Sequence, residues 1–134
     1  MIKAISSKQI VVNASDKVGT LATINDIVSQ SGINMIAICA YKRSRKSEIM
    51  FVSENNAYAK RLLKTRGFDV KDEDIVLLTV ENRPGALRSA TDRISEAGID
   101  MTLIYGSVEK VGKTTHLVLV TENNKATLKA LRQK

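Results

Sequence analysis

One pattern is written twice in this chain of 134 residues. Asp16-Lys17-Val18-Gly19-Thr20-Leu21 is matched by Asn82-Arg83-Pro84-Gly85-Ala86-Leu87, and Ser31-Gly32-Ile33-Asn34-Met35 by Ala97-Gly98-Ile99-Asp100-Met101, both at an offset of 66 (19 to 85, 32 to 98). Ser53-Glu54-Asn55-Asn56 returns as Thr121-Glu122-Asn123-Asn124 at an offset of 68 (53 to 121), so the second copy carries two extra residues in between. Duplication constrains the fold more than any other feature, because each copy must close its own sheet and bury its own helices. A unit of about 66 residues hides only about 60% of the surface its unfolded chain exposes and is marginal alone. The two copies are therefore expected to be tied together.

The period of the apolar residues gives the elements of each copy. Ile10-Val11-Val12 and Ile75-Val76-Leu77-Leu78 are short β-branched runs suited to buried strands. Leu21, Ile24, Val28 and Ser31 then fall at helical spacing, as do Leu87, Ala90, Ile94 and Ala97. Pro84 suits the first helical position, and Gly32 and Gly98 suit the left-handed residue beyond a helix end. Strands are expected from Ile33 to Tyr41 and from Ile99 to Tyr105, then hairpins, then strands Ile49 to Val52 and Leu117 to Val120. More polar helices follow over Asn56 to Thr65 and Asn124 to Arg132.

Strand, helix, two strands, helix and strand make a ferredoxin-like βαββαβ unit if a fourth strand exists. Phe68 to Lys71 supplies it in the first copy, but the second copy reaches Lys134 without one. The offset of 66 places Ile2 under Phe68 and Ala4 under Val70, with Lys3 between them. Residues 1–7 are thus expected to complete the second sheet, within the chain or across to another. The fold class is α+β, with a first domain over 8–73 and a second over 74–134 joined by strand 1–7. Ile10-Val11-Val12, Met35-Ile36 and Leu117-Val118 are apolar on both sides of their strands, so the other repeat or a second chain is expected to cover the sheet face that carries no helices or to lengthen the sheet.

These residues carry a family resemblance. Glu81-Asn82-Arg83-Pro84-Gly85-Ala86-Leu87, followed by Glu96-Ala97-Gly98-Ile99-Asp100-Met101, resembles the signature of the ACT domain, a regulatory module that binds amino acids. The first copy is similar in Asp16, Gly19, Leu21 and Gly32-Ile33-Asn34, with Val18 where the proline would stand. The resemblance spans essentially the whole chain. It implies a non-catalytic sensor of a free amino acid held at the first strand–helix loops between adjoining ACT-like domains, as in the regulatory domains of aspartokinase and phosphoglycerate dehydrogenase. It also implies a homodimer and an enzyme regulated in trans.

Elementary chemistry points to the same loops. A zwitterion needs donors for its carboxylate and acceptors for its ammonium, and a helix entrance offers unpaired N–H groups at the positive end of a dipole. Asp16 and Asp100 are suited to accept from an ammonium, and Arg83 to hold a carboxylate. The candidate set is Asp16, Lys17, Val18, Gly19, Asn34 and Met35 in the first copy, and Asn82, Arg83, Pro84, Gly85, Asp100 and Met101 in the second. Asp16 and Asn82 are equally suited to capping their helices through Asx turns, which needs no ligand.

Other chemistry finds little support. One Cys (Cys39) and one His (His116) supply neither an internal disulfide nor a four-ligand zinc site, and neither has a recognisable catalytic partner. No enzyme activity, metal or cofactor is expected. No apolar run approaches the eighteen or so residues of a spanning helix, so no membrane partner is expected and the reading is cytoplasmic. The net charge of +7 lies wholly in residues 1–67, which hold 11 basic and 4 acidic side chains. Lys42-Arg43-Ser44-Arg45-Lys46 with Lys60, Arg61, Lys64 and Arg66 leaves, as the alternative, a basic module for nucleic acid or a partner protein. Only five aromatics are present, and neither Ser47 to Ser53 nor Thr114 to Thr121 has the aromatic-rich pattern that stacks RNA bases, which argues against nucleic acid.

Overall fold

The computed structural model describes residues 2–15, 17–106 and 112–132. Its elements run β1 (Ile2–Ser15), α1 (Thr20–Gln30), β2 (Met35–Arg43), β3 (Lys46–Ser53), α2 (Asn56–Thr65), β4 (Asp69–Glu81), α3 (Ala86–Glu96), β5 (Met101–Gly106), β6 (Thr114–Thr121) and α4 (Asn124–Arg132). They divide into two compact units, Lys8–Glu73 and Met1–Ser7 with Asp74–Lys134. Hydrogen-bonded neighbours run β2-β3-β1-β4 in the first unit and β5-β6-β4-β1 in the second, the order of a ferredoxin-like sheet. The N-terminal strand completes the second repeat's sheet within the same chain. Arg132 clasps it there, donating from Nε and Nη2 to the Ala4 carbonyl at 3.3 and 3.1 Å.

Two expected strand pairs turn out to be single strands. Ile2–Ser15 and Asp69–Glu81 each run unbroken from one unit into the other. Polar Ser6-Ser7-Lys8 and Asp72-Glu73-Asp74 interrupt the apolar pattern at those crossings, but a strand is held by its backbone and tolerates polar side chains.

Each unit buries its own core between sheet and helices. In the first, Ile10, Val12, Ile49 and Phe51 of the sheet meet Ile24, Val28, Ala59 and Leu63 of the helices. In the second, Val76, Leu78 and Leu119 meet Ala90, Ile94 and Leu131, with Ala4 of β1 in the same cluster. Val11, Met50, Val52, Ile75 and Val118 belong to neither cluster and are nevertheless buried within the single chain. Gln9, also fully buried, donates to Glu73 Oε1 at 2.6 Å.

The repeated Ser/Thr-Glu-Asn-Asn motif is a structural clamp. Asn55 caps α2 by accepting from the Tyr58 N–H, and Asn123 accepts from the Ala126 N–H at the start of α4. Asn56 Oδ1 accepts from the Ser53 N–H and its Nδ2 donates to the Lys8 carbonyl; Asn124 repeats this with Thr121 and Asp74. Each second asparagine thus pins a long strand where it enters its unit. Among the described residues, no helix is long and apolar enough to cross a membrane.

Candidate functional site

The first helix of each unit starts differently from the second. The Arg83 carbonyl accepts from the Ala86 N–H at 3.2 Å, with Gly85 at φ 85° and ψ −9° between them. Lys17 and Thr20 make the same contact at 3.3 Å, around Gly19 at φ 88° and ψ 0°. A glycine of this conformation at the third position marks a type II turn, in which proline is favoured at the second. Pro84 therefore belongs to the turn ahead of the helix, and the expectation that it opens the helix is corrected: its fixed φ serves the turn, and the helix begins at Ala86. Val18 holds the corresponding place, fully exposed. Val18→Pro is expected to raise stability by about 0.4–1 kcal/mol, because it narrows the unfolded ensemble at a residue with no backbone bond to lose; a urea midpoint at unchanged slope measures this.

These turns leave α1 and α3 uncapped. The N-cap residues are Gly19 and Gly85, and among the described residues no side chain accepts from the N–H groups of either helix start, whereas α2 and α4 begin under asparagine side chains. The Asn82 backbone pairs with Lys113 and Gly112 of the neighbouring hairpin. Asp16 lies outside the described residues. The first-turn N–H groups of α1 and α3, with the positive end of the helix dipole, can meet an anion.

A cavity opens at each uncapped start. In the second unit it measures about 270 Å³, with Val80, Ala86, Gly106, Thr115 and Leu117 among its walls and Glu81, Asn82, Arg83 and Leu87 also lining it. In the first unit it measures about 260 Å³ and is lined by Lys17, Gly19, Thr20, Leu21, Ala40, Tyr41, Ser47 and Ile49. The repeat offsets superpose the two sets: Lys17 on Arg83, Thr20 on Ala86, Leu21 on Leu87, Ala40 on Gly106, Ser47 on Thr115, Ile49 on Leu117. Each cavity combines a cation, a strand hydroxyl and an apolar wall. Gly106 is required by crowding, since a Cβ there would stand 2.7 Å from the His116 carbonyl oxygen and closer still to Leu117 Cδ2.

The mouths differ. In the second unit Arg83 Nε faces Glu81 Oε2 at 3.7 Å, both about half exposed, so a cation and an anion sit side by side in water. In the first, Tyr41 donates to Glu48, and that bond, with some burial, raises the phenol's pKa above its usual value and keeps the ring neutral.

The candidate residues separate into two groups. Lys17 and Gly19, and Asn82 and Arg83, line the cavities. Val18, Pro84 and Gly85 shape the turns beside them. Asn34, Met35, Asp100 and Met101 stand at the other end of β2 and β5: Asn34 Nδ2 reaches Glu54 at 3.4 Å, the Asp100 N–H donates to Glu122 at 3.1 Å, and Met35 and Met101 pack against the cores. Ser47 and Thr115 line the cavities without having stood out in the sequence; the repeat alignment equates them, but an isolated hydroxyl in a strand carries no motif. Among the described residues no group of His, Cys, Asp and Glu is arranged to hold a metal. His116 Nδ1 meets Thr79 Oγ1 at 3.1 Å on the adjacent strand.

Protein BT0572 from Bacteroides thetaiotaomicron superposes with a TM-score of 0.87 at 22% identity, covering 96% of this chain and 88% of its own. The regulatory subunit of aspartate kinase from Thermus thermophilus, in ligand-free form, gives 0.66 at 15% identity over 97% and 95% of the two chains. That of Thermus flavus gives 0.61 at 15% identity over 98% and 95%. At these identities the likeness speaks for the fold. No curated protein matches the sequence. Residues 5–133 match the ACT domain pair family as a whole, and the chain belongs to that family.

Proposed function

We propose that this chain is a non-catalytic regulatory protein that binds a free amino acid at the entrances of α1 and α3 and passes the signal to an enzyme in trans. The observation that carries the reading is the coincidence, in both repeats, of a cavity with an uncapped helix start and a cation at its mouth. A helix N-terminus together with Arg83 or Lys17 suits an α-carboxylate, and Glu81 suits an α-ammonium. Membership of the ACT domain pair family and the fold shared with aspartate kinase regulatory subunits support a regulatory role. A homodimer is part of the proposal: Ile38 on β2 and Ile104 on β5 occupy matching positions on edge strands and are both exposed.

The test is thermal unfolding against each of the twenty amino acids. A true ligand at a hundred times its dissociation constant adds about 2.7 kcal/mol and raises the melting temperature by several degrees. A flat response to all twenty would favour the basic-module alternative, whose supporting observation is the exposed hairpin from Lys42 to Lys46. That alternative is the weaker one. Arg43 lies over the Tyr41 ring at 5.7 Å, Arg61 over Tyr58 at 5.1 Å, and Lys60 is bonded to Asp72 at 2.7 Å, so part of the basic surface is engaged by its own neighbours. A short RNA that shifts the melting curve at low salt and loses its effect at moderate salt would revive it.

A further inference from the structure

Thr115 is only 8% exposed, and its hydroxyl is the one buried side-chain polar atom without a hydrogen-bond partner among the described residues. The same residue lines the cavity of the second repeat. An unpaired buried hydroxyl is a standing cost to the fold, and a neighbour able to bond it recovers that cost. Turning χ1 of threonine to another staggered well carries Oγ1 to a different side of Cβ, with the methyl shifting in turn, and so can bring the hydroxyl to the cavity without moving the strand.

The remaining walls decide which part of a ligand arrives there. Val80 and Ala86 are buried beside Thr115, while Arg83 and Glu81 are about half exposed at the mouth. Charged groups are costly to bury, so the ammonium and carboxylate of an amino acid remain at the wet mouth and its side chain enters the apolar end. A charged side chain finds no counter-charge among Val80, Ala86, Gly106 and Leu117. A purely apolar one leaves the Thr115 hydroxyl as orphaned as before. Resting on the proposed amino-acid function, we infer that the second repeat selects an amino acid whose side chain carries a neutral hydrogen-bonding group, and that Thr115 is the specificity-determining residue that reads it. The first repeat has Ser47 and Ala40 in place of Thr115 and Gly106, together with Tyr41, so its cavity is not bound to the same choice.

The test uses near-isosteric ligand pairs on the intact protein: L-threonine against L-valine, and L-asparagine against L-leucine, by calorimetric titration and melting. The wild type is expected to bind the hydrogen-bonding member of at least one pair about tenfold more tightly or better. Thr115→Val is expected to bring that ratio to within about twofold without lowering the melting temperature of the unliganded protein, because the hydroxyl it removes has no partner. Thr115→Ser is expected to keep the preference. Equal binding within both pairs, a preference that survives Thr115→Val, or a best ligand with a charged side chain would overturn the inference and leave the amino-acid reading standing. A lower unliganded melting temperature for Thr115→Val would also overturn it, by showing that the hydroxyl already has a partner. No response of the wild type to any amino acid would overturn both.

Discussion

A protein lacking residues 1–7 is expected to lose the second repeat and keep the first. Those residues bring Ala4 into the second core, lay Ile2 against it, offer the carbonyl that Arg132 clasps and cover the edge of β4. At about 0.8 kcal/mol per buried CH₂ for Ala4 and the covered part of Ile2, and about 0.5–1.5 kcal/mol for each net hydrogen bond, the loss is on the order of 3–5 kcal/mol. Stability of roughly 0.05–0.15 kcal/mol per residue gives a unit of this size about 3–10 kcal/mol in all, so the deletion removes much of what holds it folded. Hydrogen exchange measures the outcome by region. Protection should collapse across β4 to α4, taking the α3 cavity with it, while α1, β3 and α2 stay protected. Protection lost only over residues 8–73 would show that the strand serves the other repeat.

The duplication explains why this much was legible. An offset of 66 carried backward from Phe68 and Val70 lands on Ile2 and Ala4, and that alignment alone places the N-terminal strand in the second sheet. The second helices, expected over Asn56 to Thr65 and Asn124 to Arg132, span those residues, and asparagine side chains hydrogen-bond at both starts. The helix entrances were less readable. Arg83-Pro84-Gly85 fits a helix start and a type II turn equally well by composition, and only the left-handed Gly85 decides between them. Asn34 and Asp100 open the strands that follow the first helices, and there they meet Glu54 and Glu122 of the clamp motif, a neighbourhood set by strand pairing that no local pattern encodes. Thr115 was hidden for the complementary reason. Its hydroxyl matters through what it lacks, and an unmade hydrogen bond leaves no trace in a sequence.

Gly85→Val carries the second large effect, and it separates the turn from the space around it. A Cβ built at Gly85 meets nothing within 4 Å, so no collision opposes the substitution; φ of 85° does. A β-branched residue held in that region costs about 1–3 kcal/mol, and relief by turning the peptide would redirect the first-turn N–H groups of α3 away from the cavity. The expected result is a lower melting temperature together with at least a tenfold loss of amino-acid affinity at the second repeat. Gly85→Asn distinguishes strain from bulk, because asparagine tolerates the left-handed region and should recover most of the stability. Gly19→Val applies the same strain at φ 88° to the first repeat and should leave the second site's affinity intact. If Gly85→Val lowers the melting temperature but binds as tightly as the wild type, the helix entrance is a structural turn alone and the ligand lies elsewhere. Should both fall together and both return with asparagine, the left-handed turn is what holds the α3 amides in place for a carboxylate.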